Sequence, residues 1–320
     1  MTSALHVSAR PGFALAGAIL LLVLPLGLLA VDQPFYIVLA SRILVFALIA
    51  SSLNLLIGYG GMISFGHAAF VGIGAYTVAG LMQAGIVSAW LAWPIAMLAG
   101  AVLALGIGWI SLRTSGVYFI MITLAFAQMA YYAIISLKLL GGDDGLSLGG
   151  RSALLPGIDL KADLSFYYVA LACFAASLAF LHRLINAELG RALQGVRDNE
   201  TRMEALGFPT YRIKLAAFII AGALAGLGGA LLANLTGLVS PSLLHWTQSG
   251  ALMIMVILGG AGRLLGGAIG AAVLLIIEEV LRDYTIHWQL GVGVVLLAIV
   301  LFAPSGLAGG LAGLRQRRQA

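Results

Sequence analysis

Charge is the scarcest property of this chain. Of its 320 residues, 9% are Asp, Glu, Lys or Arg, against about a quarter in an average soluble domain. A water-soluble fold of this size could not cover itself with so few polar side chains. That excludes a soluble enzyme or binding module and makes lipid the solvent. Cysteine is all but missing. The single Cys173 lies inside an apolar run, so no disulfide framework or thiolate metal site can form within one chain. Charges are also missing from the middle of the apolar runs. Arg42 and Lys138 stand near run ends, as do Glu278 and Glu279 beside Arg282. A charge at the bilayer centre costs about 2.5–3.5 kcal/mol and usually marks function. Their absence argues against a self-sufficient, ion-coupled secondary carrier. Catalytic constellations are absent too. His6, His67, His182, His245 and His287 are scattered, with no HExxH, Gly-x-Ser-x-Gly or paired-carboxylate arrangement. No basic patch suits nucleic acid.

Apolar residues, by contrast, make up 62% of the chain, and glycine contributes 42 positions. Lipid tails give helices no hydrophobic reason to associate, so membrane helices use small residues to approach closely. Apolar runs of about 20 residues, the length that crosses a bilayer, cover Phe13–Val31, Phe35–Ile57, Gly61–Met82, Ala89–Leu112, Gly116–Leu137, Leu164–Leu181, Leu215–Leu235 and Ile286–Pro304. The first run, behind Arg10, is too long for a cleaved signal core and no small-x-small site follows it. It reads as the first span. Ser249–Gly262 and Leu264–Ile277 are shorter and split by Arg263. They form either one bent span or a hairpin with Arg263 at its tip.

Charge placement decides between these, because cytoplasmic loops collect Lys and Arg. The His182–Lys214 loop holds Arg183, Arg191, Arg197, Arg202, Arg212 and Lys214 against Glu188, Asp198, Glu200 and Glu204. The Lys138–Asp163 stretch balances Lys138, Arg151 and Lys161 against Asp143, Asp144, Asp159 and Asp163. With the N-terminus inside and ten crossings, Arg113, the 182–214 loop, Arg263 and Arg315, Arg317 and Arg318 all fall inside. Asp32, the 138–163 stretch and Arg282–Asp283 fall outside. The expected fold is an all-α polytopic bundle of about ten segments with both termini cytoplasmic: an N-terminus over 1–12, a transmembrane domain over 13–304 and a tail over 305–320. Whether the third, eighth and ninth segments cross fully stays open. Ten segments split into five plus five, and an odd half inverts its copy. Inverted repeats with interrupted segments at matching positions mark many transport pathways. Gly58–His67 opens the third segment and Ser240–Trp246 precedes the eighth, so the repeat is expected there.

Three regions stand out. Gly58, Gly60, Gly61, Gly66, Gly72, Gly74 and Gly80 crowd one segment, although glycine costs about 1 kcal/mol against alanine inside a helix. Two compatible readings are an interrupted helix lining a polar pathway and a helix packed closely on its neighbours. Tyr59, Gly60, Gly61, Ser64, Gly66, His67 and, further on, Gln128 are the candidate pathway residues. A lone histidine such as His67 is more often a hydrogen-bonded structural residue than a ligand. In the 182–214 loop, Leu189, Ala192, Leu193, Val196, Met203 and Leu206 recur at helical spacing as one apolar stripe. Asp198–Arg202 and Arg197–Glu200 are spaced as helical ion pairs. Gly207 ends the helix and Pro209 stops it. One or two short amphipathic helices are expected, lying on lipid or docking a cytoplasmic protein. The mixed charge favours the protein. Finally, Gly259–Gly270 lacks the Gly-Lys-Ser/Thr of a phosphate loop and reads as a tight hairpin.

Asn54–Leu81 (NLLIGYGGMISFGHAAFVGIGAYTVAGL), Leu189–Leu232 and Val256–Ala271 (VILGGAGRLLGGAIGA) resemble permease subunits of branched-chain amino acid ABC importers, over about residues 35–310. These stretches do not separate such importers from urea- or amide-importing relatives. The resemblance implies a second, similar permease, two cytoplasmic ATPases that consume the ATP, a periplasmic binding protein and residence in the inner membrane, with no cofactor bound by this chain. Glu204-Ala205-Leu206-Gly207 is similar to the family's ATPase-coupling motif, which makes Arg197, Asp198, Glu200, Arg202, Glu204, Ala205 and Gly207 the candidate coupling residues. Arg263-Leu264-Leu265-Gly266-Gly267 departs from the Gly-Ser/Thr-Leu-x-Gly-Pro often found in relatives.

Overall fold

The computed structural model describes residues 21–23, 25, 27, 34–154, 160, 162–284, 287–302 and 306–307. Most of the first apolar run, Arg10, Asp32, Asp159, Lys161 and the basic tail lie outside the described residues, and with them the expected terminal boundaries.

The described fold is all-α. Helix α1 (Pro34–Asn54) runs on through a π-helical turn (Leu55–Tyr59), and α2 (His67–Gln83) follows a non-helical stretch. Then come α3 (Ala89–Ser111), α4 (Val117–Ser136) and α5 (Asp163–Asn186). Two short helices, α6 (Glu188–Asp198) and α7 (Glu200–Ala205), lead into α8 (Thr210–Thr236). The chain ends in α9 (Trp246–Gly259), α10 (Gly266–Tyr284) and α11 (Trp288–Phe302). Five helices are long and apolar enough to cross a membrane: Phe35–Tyr59, α3, α4, α5 and α8. The chain is therefore a multi-pass membrane protein. The run split by Arg263 forms two helices joined by a turn, as the hairpin reading has it. Helix α8 starts five residues before the apolar run at Leu215, because its first polar turn stays helical. Its 27 residues reach about 40 Å, more than a bilayer core of about 30 Å.

The connections gather at two ends. At one end, Tyr211 Oη donates to Trp109 O at 2.9 Å, and Asn54 reaches the turn between α9 and α10. Gly306 returns to this end, where a Cβ on it would lie 2.5 Å from Gly260 Cα. At the other end, Leu146–Ser147 pairs antiparallel with Leu238–Val239. There Arg151 binds Asp163 at 2.6 Å and donates to Asn234 O at 3.1 Å and Leu160 O at 2.9 Å. Its guanidinium also stacks on Phe166, 4.9 Å from the ring centre. Ser152 N donates to Asn234 Oδ1 at 2.7 Å, so the loop between α4 and α5 is pinned to the end of α8.

Helix α8 is the axis of the bundle and packs on α1, α2 and α3. Against α2 and α3 the contacts run main chain to main chain. A Cβ at Gly74 would sit 2.2 Å from Gly226 O, one at Gly100 2.4 Å from Gly222 O, and one at Gly229 1.9 Å from Val71 O. No side chain fits between such helices, which accounts for the glycines here as packing residues. Phe70, Phe119 and Phe218 fill the space beside them edge to face. Glu278, on the lower half of α10, is within electrostatic reach of Arg42 on α1 and of Arg282, so this carboxylate is not left alone among apolar helices.

Candidate functional site: the broken helix and the helices that hold it

The π turn widens the end of α1, and its last amides reach back to Leu55 O (from Gly60 N, 3.1 Å) and Leu56 O (from Met62 N, 2.9 Å). Helix ends leave carbonyls without partners, and Gly58 O is one of these. The chain turns at Gly61, whose φ of 66° a residue with a Cβ adopts at a cost. It then runs without helix to Gly66. Non-helical backbone at membrane depth needs partners inside the protein, and three hydroxyls supply them. Phe65 N donates to Thr123 Oγ1 at 3.2 Å, Gly66 N to Ser64 Oγ at 3.1 Å and Ala68 N to Ser249 Oγ at 2.9 Å. The first turn of α2 is thus capped by a serine from α9 and steadied by a threonine from α4.

The sequence candidates fall into different surroundings. Tyr59, Gly60, Ser64, Gly66 and His67 are buried, Gly61 is exposed and Gln128 is half-buried. Ser52 Oγ donates to Ile49 O at 2.7 Å and lies 2.8 Å from His67 Nε2. His67 is thus held to Ser52 through Nε2, and its Nδ1 is buried with no partner. Gln128 stands five residues beyond Thr123 on α4, apart from this cluster. Where α1, α2, α8 and α9 meet, a cavity of about 20 Å³ lies between Phe46, Ile49, Val71, Leu232 and Leu252. That is room for about one water, far below an amino acid.

Asn54, the one amide side chain of α1, has a role that its identity only hints at. Its Nδ2 donates to Arg263 O at 2.7 Å and its Oδ1 accepts from Gly262 N at 3.0 Å. The α9–α10 turn is thereby held against α1 so closely that a Cβ at Gly58 would lie 2.1 Å from Gly262 N.

Helices α6 and α7 project from the same end. Leu193 and Val196 are buried, while Leu189, Ala192 and Met203 are partly covered. Leu206 departs from the expected stripe, at 66% exposed. The cause is Asn199, whose extended backbone (φ −163°, ψ 99°) separates the two helices and whose Oδ1 accepts from Arg202 N at 2.9 Å. The break also removes the expected ion pairs. Asp198–Arg202 and Arg197–Glu200 do not form, because helical spacing does not continue across Asn199. Glu200 instead pairs with Lys214, Glu204 Oε1 accepts from Thr210 Oγ1 at 3.0 Å, and Arg197 meets Asp198 at 3.2 Å. Arg197 Nη1 donates to Gly58 O. Gly207 ends α7 with φ 84°. Its N–H bonds Glu204 O at 2.9 Å and Phe208 N bonds Met203 O at 3.0 Å, the paired closure that glycine favours after a helix. Asp198, Thr201, Arg202, Glu204, Ala205, Leu206 and Phe208 remain exposed.

An all-α membrane bundle of packed, broken helices, carrying an amphipathic projection at one end, is the architecture of an integral-membrane component. The family model described as the branched-chain amino acid transport system permease component matches residues 35–304. The chain belongs to that family. It is 30% identical over 307 residues to the high-affinity branched-chain amino acid transport system permease protein LivM of Escherichia coli (strain K12), covering 87% of this chain and 72% of that protein. LivM of Salmonella typhimurium is 29% identical over 315 residues, 90% of this chain and 74% of the relative. LivH of Escherichia coli (strain K12) is 26% identical over 284 residues, 82% and 91% of the two chains. No solved structure matches significantly.

Proposed function

We propose that this chain is a membrane-spanning permease subunit of an ATP-driven importer of branched-chain amino acids in the inner membrane. It pairs with a second, similar permease and takes substrate from a periplasmic binding protein. ATP is hydrolysed by two cytoplasmic partner subunits docked on α6 and α7. The observation that carries the reading is the exposed face of those helices. Mixed charge from Asp198, Arg202 and Glu204 surrounds the uncovered Leu206 and Phe208. A face meant for lipid would be mostly basic, whereas charged groups around an apolar centre suit a protein.

In this reading the end bearing α6 and α7 is cytoplasmic. The basic residues Arg113, Arg197, Arg202 and Arg263 favour that orientation, and the return of Gly306 to Gly260 supports a tail on the same side. The first apolar run then completes ten segments in two inverted halves. The helix pairings support the repeat: α8 packs on α3 as α1 packs on α10, and α2 packs on α3 as α9 packs on α10. Each half also has irregular backbone before a short helix, at 60–66 and at 237–245. The solute path runs along the seam with the second permease. Tyr59, Gly60, Ser64, Gly66 and His67 shape its wall from behind, and Gly61 and Gln128 border it.

Replacing Arg202 by Glu together with Leu206 by Asp tests the docking face. The expected result is an importer chain present in membranes at normal level, with co-purified ATPase reduced at least about tenfold, the effect of losing roughly 1.4 kcal/mol of contact. Unchanged ATPase binding would overturn the docking assignment.

A further inference from the structure

The coupling reading leaves open how a push on α6 reaches the membrane segments, and one side chain bridges that gap. Arg197 stands in the last turn of α6. The residue is exposed and its Nε and Nη2 pair with Asp198, but its Nη1 turns inward and donates to Gly58 O, at the end of the π turn. Its aliphatic stem lies on Gly61, where a Cβ would be 2.8 Å from Arg197 Cγ. The same Nη1 is 3.5 Å from the Cβ position of Gly262, in the α9–α10 turn. Asn54 already ties that turn to α1 through two hydrogen bonds. Three separate elements therefore meet within one guanidinium's reach: the projecting helix, the broken end of α1 and the turn between α9 and α10. Glycines at 58, 61 and 262 make the approach possible, since each would otherwise place a methyl group in the contact.

Resting on the docking assignment above, we propose that Arg197 is a positioning residue that latches α6 to the broken helix and to the α9–α10 turn. Movement of α6 is then passed to both elements together. Several features favour a latch over a simple packing contact. The acceptor is a carbonyl left without a helical partner by the π turn, so one charged donor satisfies it. Hydrogen bonds to charged groups are worth more than neutral ones. The stem supplies apolar contact in addition, as arginine stems do. A lysine keeps one donor and most of the stem, whereas a methionine keeps the stem and loses the donor.

The test uses the assembled importer, with both permeases, the ATPases and the binding protein, reconstituted in liposomes. Uptake and ATP hydrolysis are measured together for the native chain, Arg197→Met and Arg197→Lys. A second readout follows labelling of A261C, on a Cys173→Ser background, with and without ATP. The expected result for Arg197→Met is full assembly and retained ATP hydrolysis. Solute moved per ATP falls about tenfold, as loss of one charged hydrogen bond in the transmitting state predicts. Arg197→Lys recovers most of the coupling. Labelling of A261C responds to ATP in the native chain and not in Arg197→Met. If Arg197→Met moves as much solute per ATP as the native chain, or its A261C labelling still responds, the latch is overturned while docking stands. If Arg197→Met loses its ATPases instead, Arg197 is a docking contact and the latch is again overturned. ATPases that bind normally to the Arg202→Glu, Leu206→Asp chain would remove the docking assignment itself, independently of Arg197.

Discussion

Ser249 Oγ accepts the N–H of Ala68 at the start of α2, inside the protein and out of reach of water. Removing that acceptor orphans a buried donor, which costs about 1–3 kcal/mol. Ser249→Ala is expected to lower the thermal midpoint of the detergent-solubilised protein, read by tryptophan fluorescence, and a midpoint equal to the native one would contradict the capping role. A sharper contrast lies between two glycines. Gly229 touches the main chain of α2, whereas Gly80 has no heavy atom within 4 Å of its Cβ position. Gly229→Ala is expected to destabilise by about 1–3 kcal/mol, the usual cost of forcing extra atoms into a packed site. Gly80→Ala is expected to be neutral or slightly stabilising in the same assay. At this scale the sequence was readable where a residue acts locally and opaque where it acts across the fold. Gly207 announces a helix end through its own backbone. Asn54 looks like an isolated amide until the turn more than 200 residues later is placed beside it.

Among elements, Asn199 decides the shape of the projection. Its extended backbone ends α6 and its side chain caps α7. An N-cap asparagine replaced by alanine costs about 1 kcal/mol. Asn199→Ala is therefore expected to speed hydrogen exchange across 200–205 about fivefold, and unchanged exchange would sink the capping role. The membrane helices were legible from length and apolarity alone, because lipid demands both. The two helices of the projection were legible as amphipathic, yet a periodic reading carried the stripe through Asn199 to Leu206 and paired charges that the break keeps apart. Periodicity assumes one continuous helix, and Asn199, a residue type favoured at helix N-caps, was the one local sign that the backbone would extend for a single residue. The same limit applies to α2. Its glycines suggested a broken helix, but two of the three hydroxyls that satisfy the break come from α4 and α9.

For the whole molecule, the proposed topology separates two surfaces by side of the membrane. Cysteine substitutions at Asp143 and Thr201, on a Cys173→Ser background, both lie at exposed positions. A membrane-impermeant maleimide is expected to label Asp143→Cys in intact cells and Thr201→Cys only after permeabilisation. The opposite pattern would invert the orientation, and labelling of both from outside would break the crossing count. The all-α membrane fold was legible in the long apolar runs, whereas a solute path was not. If the path lies between two chains, as proposed, little of it is written in either sequence alone.

The main-chain contacts of α8 with α2 and α3 also limit how the subunit can deform. Helices that touch backbone to backbone have no side-chain layer to shear, so these three are expected to move together. Helix α4 is the opposite case, with 22% of its apolar window buried against 67% for α8. Displacement that accompanies transport is therefore expected in the elements outside this trio, with the three helices as their frame.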